Sequence, residues 1–112
     1  MTKTIYRFTA KTQWEKGLKD GIYVAEDFDV DGFIHTSTKE QVLDTAFRYA
    51  RGKQALVLLV IDTEKVEAPL KFEARKSDGQ LFPHIYGDLN LDAITAVYDF
   101  PPNEDGTFSF PF

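Results

Sequence analysis

The chain has 112 residues and a mass of 12.8 kDa, enough for one hydrophobic core and too little for two. Hydrophobic residues make up 43% and charged residues 28%, which excludes a disordered chain and a membrane span. The absence of cysteine excludes disulfides, thiolate metal sites and a thiol nucleophile, and a net charge of −5 with a pI near 4.9 argues against nucleic acid, because phosphate contacts need clustered Lys and Arg.

In chain order, the start carries no apolar h-region, so the protein is expected to stay in the cytoplasm. Ile5–Phe8 alternates apolar and polar residues and predicts a short strand. A helix is expected over Ala10–Lys19. Thr12 and Glu15 fit a capping box there, Trp14 and Leu18 share one face, and Gly21 stops the element. Glu26–Gly32 is too acidic to pack and reads as a solvated loop, and Phe33–Thr36 reads as the end of a strand.

The second helix is marked more clearly. Ser37 with Glu40, or Thr38 with Gln41, spells a capping box, and Val42, Leu43, Ala46, Phe47 and Ala50 then recur at helical spacing before Gly52. Ala55–Ile61 is apolar at every position and β-rich, as expected of a central strand covered on both faces. It is the longest apolar run, and far short of the ~20 residues a bilayer helix needs. Further strands are expected at Leu70–Ala74, Phe82–Tyr86 and Ala93–Phe100, with a turn at Ser77–Gly79. Residues 1–112 therefore form one α+β domain, two helices on a small mixed or antiparallel sheet. Residues 1–100 are its core. Residues 101–112 are a tail in which Asp105–Gly106 can turn and Phe108, Phe110 and Phe112 point one way, as an edge strand would present them.

The chemistry concentrates at the only two histidines. His35 stands in Asp31-Gly-Phe-Ile-His-Thr-Ser37 and His84 in Phe82-Pro-His-Ile-Tyr-Gly87. His35 lies where a strand passes into a capped helix, a place where Thr36, Ser37 and free amides converge on anions. Tyr86 falls on the same strand face as His84. Either imidazole could move a proton near neutral pH; either could equally be a polar residue of a sheet edge satisfied by backbone. No third His and no Cys accompany them, and nothing in the spacing selects Glu73 or Asp88 as an acidic partner, so no metal is expected. Asp27, Asp29, Asp31 and Gly32 match the first half of an EF-hand loop, but its twelfth position holds Thr38 instead of the bidentate Glu that calcium needs. His35-Thr-Ser37 fits one copy of the paired motif of two-histidine phosphoesterases, whereas His84-Ile-Tyr86 offers Tyr in place of the short hydroxyl.

Arg7 shares a strand face with Ile5, where a cation needs a carboxylate or anionic ligand unless the position is an exposed edge. Arg48, Arg51 and Lys53 read as the solvated side of the second helix, and Trp14 as core.

The succession of Ile5-Tyr-Arg-Phe-Thr9, Trp14, Asp31-Gly-Phe-Ile-His-Thr-Ser-Thr38 and Leu81-Phe-Pro-His-Ile-Tyr-Gly87 resembles the domain-of-unknown-function family 952 (DUF952), small and mostly bacterial single-domain proteins. The resemblance runs from about Ile5 to Val97. It implies the split α+β sheet of the ADP-ribosylation superfamily, an ADP-ribosyltransferase-like fold whose members bind NAD in a cleft. His35-Thr-Ser37 is similar to the His-x-Ser strand of that cleft, and Tyr6-Arg7 stands where such enzymes begin with His-Gly-Thr, so their usual hold on the adenosine ribose is altered.

The resemblance implies hydrogen bonds to NAD from His35 and Ser37, with Tyr6 and Thr36 beside them, a phosphate contact from Arg7 and a stacking face from Tyr86. Glu73, the nearest carboxylate by order, would grip the ribose, and the resemblance implies His35, His84 and Glu73 as the catalytic set of an ADP-ribosyltransferase-like transferase, with no fixed role for His84. The expected partner is a small phosphorylated molecule, with neither nucleic acid nor membrane. The rival reading is a non-enzymatic interaction module.

Overall fold

The structure, a computed structural model, describes residues 3–25 and 28–112, with the side chains of all of these but 29 and 30. In chain order the elements are β1 (Thr4–Ala10), α1 (Lys11–Asp20), β2 (Ile22–Tyr23), α2 (Phe28–Asp31), β3 (Ile34–His35), α3 (Lys39–Tyr49), β4 (Leu56–Asp62), β5 (Leu70–Ala74), β6 (Leu81–Ile85), β7 (Leu89–Asn90) and β8 (Ile94–Asp99). Every strand pairing among the described residues is antiparallel, in three small sheets ordered β1-β4-β8, β2-β7 and β3-β6-β5. The chain is α+β, as its patterning predicts.

The apolar run of β4 lies at the centre of its sheet, and Leu58, Leu59 and Ile61 are fully buried because both faces are covered. Alternation divides the strand between two cores. Leu58 turns with Tyr6 to Val42, Ala46 and Ala50 of α3, and to Phe100 and Phe108. Leu59 and Ile61 turn with Ile5 to Tyr23, Ile34, Ile85 and Leu89, and Trp14 packs at the border of that cluster.

Of the two capping boxes open to α3, the chain uses the second. Thr38 is the N-cap, and its N–H donates to Gln41 Oε1 at 3.0 Å. The Gln41 amide then donates to the Leu81 carbonyl at 2.6 Å, so the start of the helix is tied to β6. The expected cap of α1 does not form. β1 runs straight into the helix, Ala10 is the N-cap, and no side chain caps it; Thr12 and Glu15 already lie inside. The Lys11 N–H finds the Ala55 carbonyl at 2.8 Å instead, so tertiary contact supplies what a local cap would have supplied. Gly21 does end α1, with φ 80°, a left-handed conformation that glycine adopts without steric cost. Leu18, expected to share Trp14's buried face, is 56% exposed.

Three other expectations change. Within the acidic segment, Phe28–Asp31 makes one helical turn rather than a loop; residues 26 and 27 lie outside the described residues, as do the side chains at 29 and 30, and with them most of the EF-hand-like run. The two-residue strands β2 and β7 carry no alternation long enough to read, and they form because Tyr23 and Leu89 are both fully buried opposite each other. The tail makes no strand. Its Asp105–Gly106 turn closes, with Asn103 N–H to Thr107 O at 2.7 Å, after which Phe108 stacks on Phe100 with centroids 4.8 Å apart and Phe110 lies 6.3 Å from Tyr6. The rings fill a gap beside α3, and Pro101, Pro102 and Pro111 lack the N–H groups a paired edge would need.

Candidate functional site

Strand alternation builds the site. In β3-β6-β5, Ile34 stands opposite Ile85 and His35 opposite His84. Both isoleucines are fully buried, so period-two geometry turns Phe33, His35, Phe82 and His84 to the other face. Glu73, opposite Phe82, and Arg75 carry that face onto β5. The imidazole centroids are 5.3 Å apart at an interplanar angle of 74°. Two motifs distant in sequence therefore meet at one hollow.

That hollow is a groove where two sheets part. The free side of β1 meets the segment after β3 through one pair of hydrogen bonds, Tyr6 N–H to Ser37 O and Ser37 N–H to Tyr6 O, both 2.8 Å. Beside this bridge the strands diverge and leave a space of about 770 Å³, within the size range of small-molecule sites. His35, Ser37, Glu73 and His84 line it together with the cationic Lys53, Arg75 and Lys76.

The predicted site residues fare differently within this frame. His84 Nδ1 sits 2.9 Å from Glu73 Oε1, and the Tyr86 hydroxyl donates to the same oxygen at 2.5 Å. Those two hydrogen bonds, Tyr86 first and His84 second, hold the Glu73 carboxyl below the usual carboxylate range, and in return the carboxylate raises the Tyr86 phenol. His35 Nε2 sits 2.8 Å from Asp31 Oδ2, four residues back at the end of α2. Thr36 is buried with its hydroxyl donating to Pro83 O at 2.6 Å, which makes it a strand fastener. The Ser37 side chain is also buried, lines the groove, and has no hydrogen-bond partner among the described residues; an unpaired buried hydroxyl calls for a ligand or a water. Burial raises the Tyr6 phenol, with Glu40 adding to it.

Arg7 is not at an exposed edge: it is 8% exposed. Its Nε donates to the Tyr23 hydroxyl and its Nη1 to the His35 carbonyl, each at 3.0 Å, and Tyr23 donates onward to Thr9 at 2.8 Å. The guanidinium thus braces the strand that carries His35. Tyr86 is not among the groove-lining residues; its ring lies beneath the Lys71 ammonium, 4.8 Å away, so it braces Glu73 rather than offering a stacking face, and it leaves the second phosphoesterase-like motif without a hydroxyl at the groove. Asp88 is exposed and does not line the groove either. Among the described residues no three His, Asp or Glu side chains are grouped to hold a metal ion.

Phe33 is the ring that sequence reasoning passed over. It stacks on His84 at 4.0 Å and 18°, and its centroid is 4.7 Å from that of His35. Its place two residues before His35 was the available signal. Gly87, which closes the second motif, has φ 157° and passes so near Ala68 that a Cβ would fall 2.8 Å from the Ala68 Cβ.

Arg75 is steadied from the β5–β6 turn. It pairs with Asp78 and lies 4.7 Å from the centre of the Phe82 ring. The guanidinium, with the Gln80 amide, draws the Asp78 carboxyl down to about 2. A carboxyl lower in the folded than in the unfolded chain stabilises above its unfolded value and loses that contribution as the pH falls through the folded one. The part of acid unfolding between about pH 4 and pH 2 that comes from this turn is therefore expected to vanish in Asp78→Asn, read as a flatter dependence of the urea midpoint on pH; an unchanged profile would mean that the pair adds nothing.

The profile of a family described as "Protein of unknown function (DUF952)" matches residues 8–97. The crystal structure of protein CC0527 from Caulobacter crescentus is similar over 95% of this chain and 93% of that one, at 33% identity and a TM-score of 0.86. Its solution NMR structure is similar over 96% and 91%, at 33% identity and a TM-score of 0.81. No curated protein matches. Among the described residues no helix is long and apolar enough to cross a membrane.

Proposed function

The chain belongs to the DUF952 family, and from that premise we propose that its groove binds a phosphorylated small molecule of the NAD or ADP-ribose class. One observation carries the reading: His35 and His84, 5.3 Å apart, open onto the same groove as Lys53, Arg75 and Lys76. Imidazoles, the Ser37 hydroxyl and Glu73 suit a sugar with its hydroxyls, and the cations suit phosphate. The parting of the sheets beside the Tyr6–Ser37 bridge supports the split-sheet, ADP-ribosylation-like resemblance. The net charge of −5 argues against nucleic acid as the ligand. A transferase acting here would break the bond from ribose to nicotinamide, and the positive charge growing on the ribose would find Glu73 within the same groove.

Thermal unfolding with NAD and with ADP-ribose tests the proposal. A ligand bound only to the native state at 100 times its Kd stabilises by about 2.7 kcal/mol, so the wild-type Tm should rise and His35→Ala should lose the rise. No shift with either compound would leave the non-enzymatic interaction module. A shift that survives His35→Ala would move the site elsewhere. Release of free nicotinamide from NAD then separates a transferase from a binder.

A further inference from the structure

The Glu73–His84 contact carries more than proximity. Glu73 Oε1 receives the Tyr86 hydroxyl and faces His84 Nδ1. An ionised carboxylate only accepts, and Glu73 is held toward its ionised form; the proton between the two therefore belongs to Nδ1. The Phe33 ring stacks on the imidazole at 4.0 Å and 18° and limits its rotation. On the other side of the ring, Nε2 makes no hydrogen bond among the described residues, and His84 lines the groove. The charged and titratable groups around it are His35, Glu73 and Tyr86, with Lys71 directly across from it on β5, its ammonium over the Tyr86 ring.

We infer that Glu73 is a positioning residue that fixes His84 as its Nδ1–H tautomer, so that Nε2 meets a ligand hydroxyl as a proton acceptor. The ligand half of this inference rests on the reading above; the tautomer rests on the protein's own geometry. A neutral imidazole normally prefers Nε2–H, and the hydrogen bond made by one nitrogen decides the state of the other. With Nδ1 committed to Glu73, Nε2 welcomes an O–H donor and rejects a phosphate oxygen, which can only accept. Specificity follows: the sugar hydroxyl faces His84, and phosphate is left to Lys53, Arg75 and Lys76. Arg75, two residues after Glu73 and just past the end of β5, lines the same groove.

Histidine ¹⁵N spectra decide the tautomer. The chain has two histidines, so His35→Ala leaves His84 alone in the spectrum. In mildly alkaline solution His84 should be mainly Nδ1–H. That preference should be lost in Glu73→Leu, restored in part by Glu73→Gln, which keeps an acceptor oxygen, and retained in Tyr86→Phe. A wild-type His84 that is Nε2–H or doubly protonated overturns the inference, and so does a preference that survives Glu73→Leu. The ligand half is read from thermal shifts with ADP-ribose and with inorganic pyrophosphate. His84→Phe, which keeps a ring and removes Nε2, should cut the ADP-ribose shift several-fold and leave the pyrophosphate shift alone; equal effects on both overturn the hydroxyl contact. An Nδ1–H His84 with no response to either compound upholds the positioning role and sinks the ligand reading instead.

Discussion

Replacing Ile85 with alanine should cost about 2–5 kcal/mol, the range for removing the methylenes of a fully buried aliphatic residue, and should loosen the His35–His84 pair with it. Ile85 is fully buried in the core shared with Ile5, Ile34, Leu59 and Leu89. It is also next to His84 and directly across from Ile34. The burial of those two isoleucines is the physical reason that both imidazoles face the groove, because a shift of one residue in register would send the histidines inward and the isoleucines out. β3 has only two residues, so its short ladder with β6 leans on this apolar contact, on the Phe33–His84 stacking and on the neighbouring Thr36–Pro83 hydrogen bonds. Urea unfolding should show a lower midpoint at unchanged slope. The imidazole resonances of both histidines should move in the still-folded protein. A loss below about 1 kcal/mol would mean that the site is anchored by something other than its hydrophobic reverse side.

Arg7→Met should cost about 1–3 kcal/mol, the price of leaving a buried acceptor without its donor. The arginine donates to the His35 carbonyl and to the Tyr23 hydroxyl from a position that is nearly inaccessible. Methionine matches much of the length and restores neither bond. Part of the loss is offset because the variant no longer holds a desolvated cation. Arg7→Lys should not recover the wild type, since an ammonium cannot reproduce two donors set in one rigid plane. The measurement is again the urea midpoint, joined to the His35 resonances, which should respond to Arg7→Met because the lost bond is to the His35 carbonyl itself. Stability within about 0.5 kcal/mol of wild type would show that the bonds from Arg7 add little to the fold.

The two variants separate the site's supports. Ile85 acts from beneath through burial, Arg7 from the side through hydrogen bonds, and both reach His35. Neither touches Glu73, whose hydrogen bonds run to His84 and Tyr86 on the adjoining strand. The histidine pair is thus placed by core packing, while the tautomer of one member is set separately, at the groove face.

Much of this was legible from the residues in order. The α+β class, the central position of β4, α3 with its capping choice between two adjacent boxes, the Gly21 stop and the two histidine motifs follow from amino-acid patterns a few residues long. Helical periodicity, a cap and an unbroken apolar run each express energies between near neighbours, and these stay readable before any folding is considered. The cap of α1 failed as an expectation for the complementary reason: its orphan amide is met by Ala55, more than forty residues away in the chain. Tertiary structure alone decided that His35 faces His84, that Glu73 rather than Asp88 stands behind it, that Arg7 is buried beside Tyr23, and that the Phe-rich tail packs as rings instead of pairing as a strand. Each of these depends on which strands lie side by side and in what register. Register is chosen by burying Ile34, Ile85, Tyr23 and Leu89 together, a collective demand that no short stretch of sequence expresses by itself.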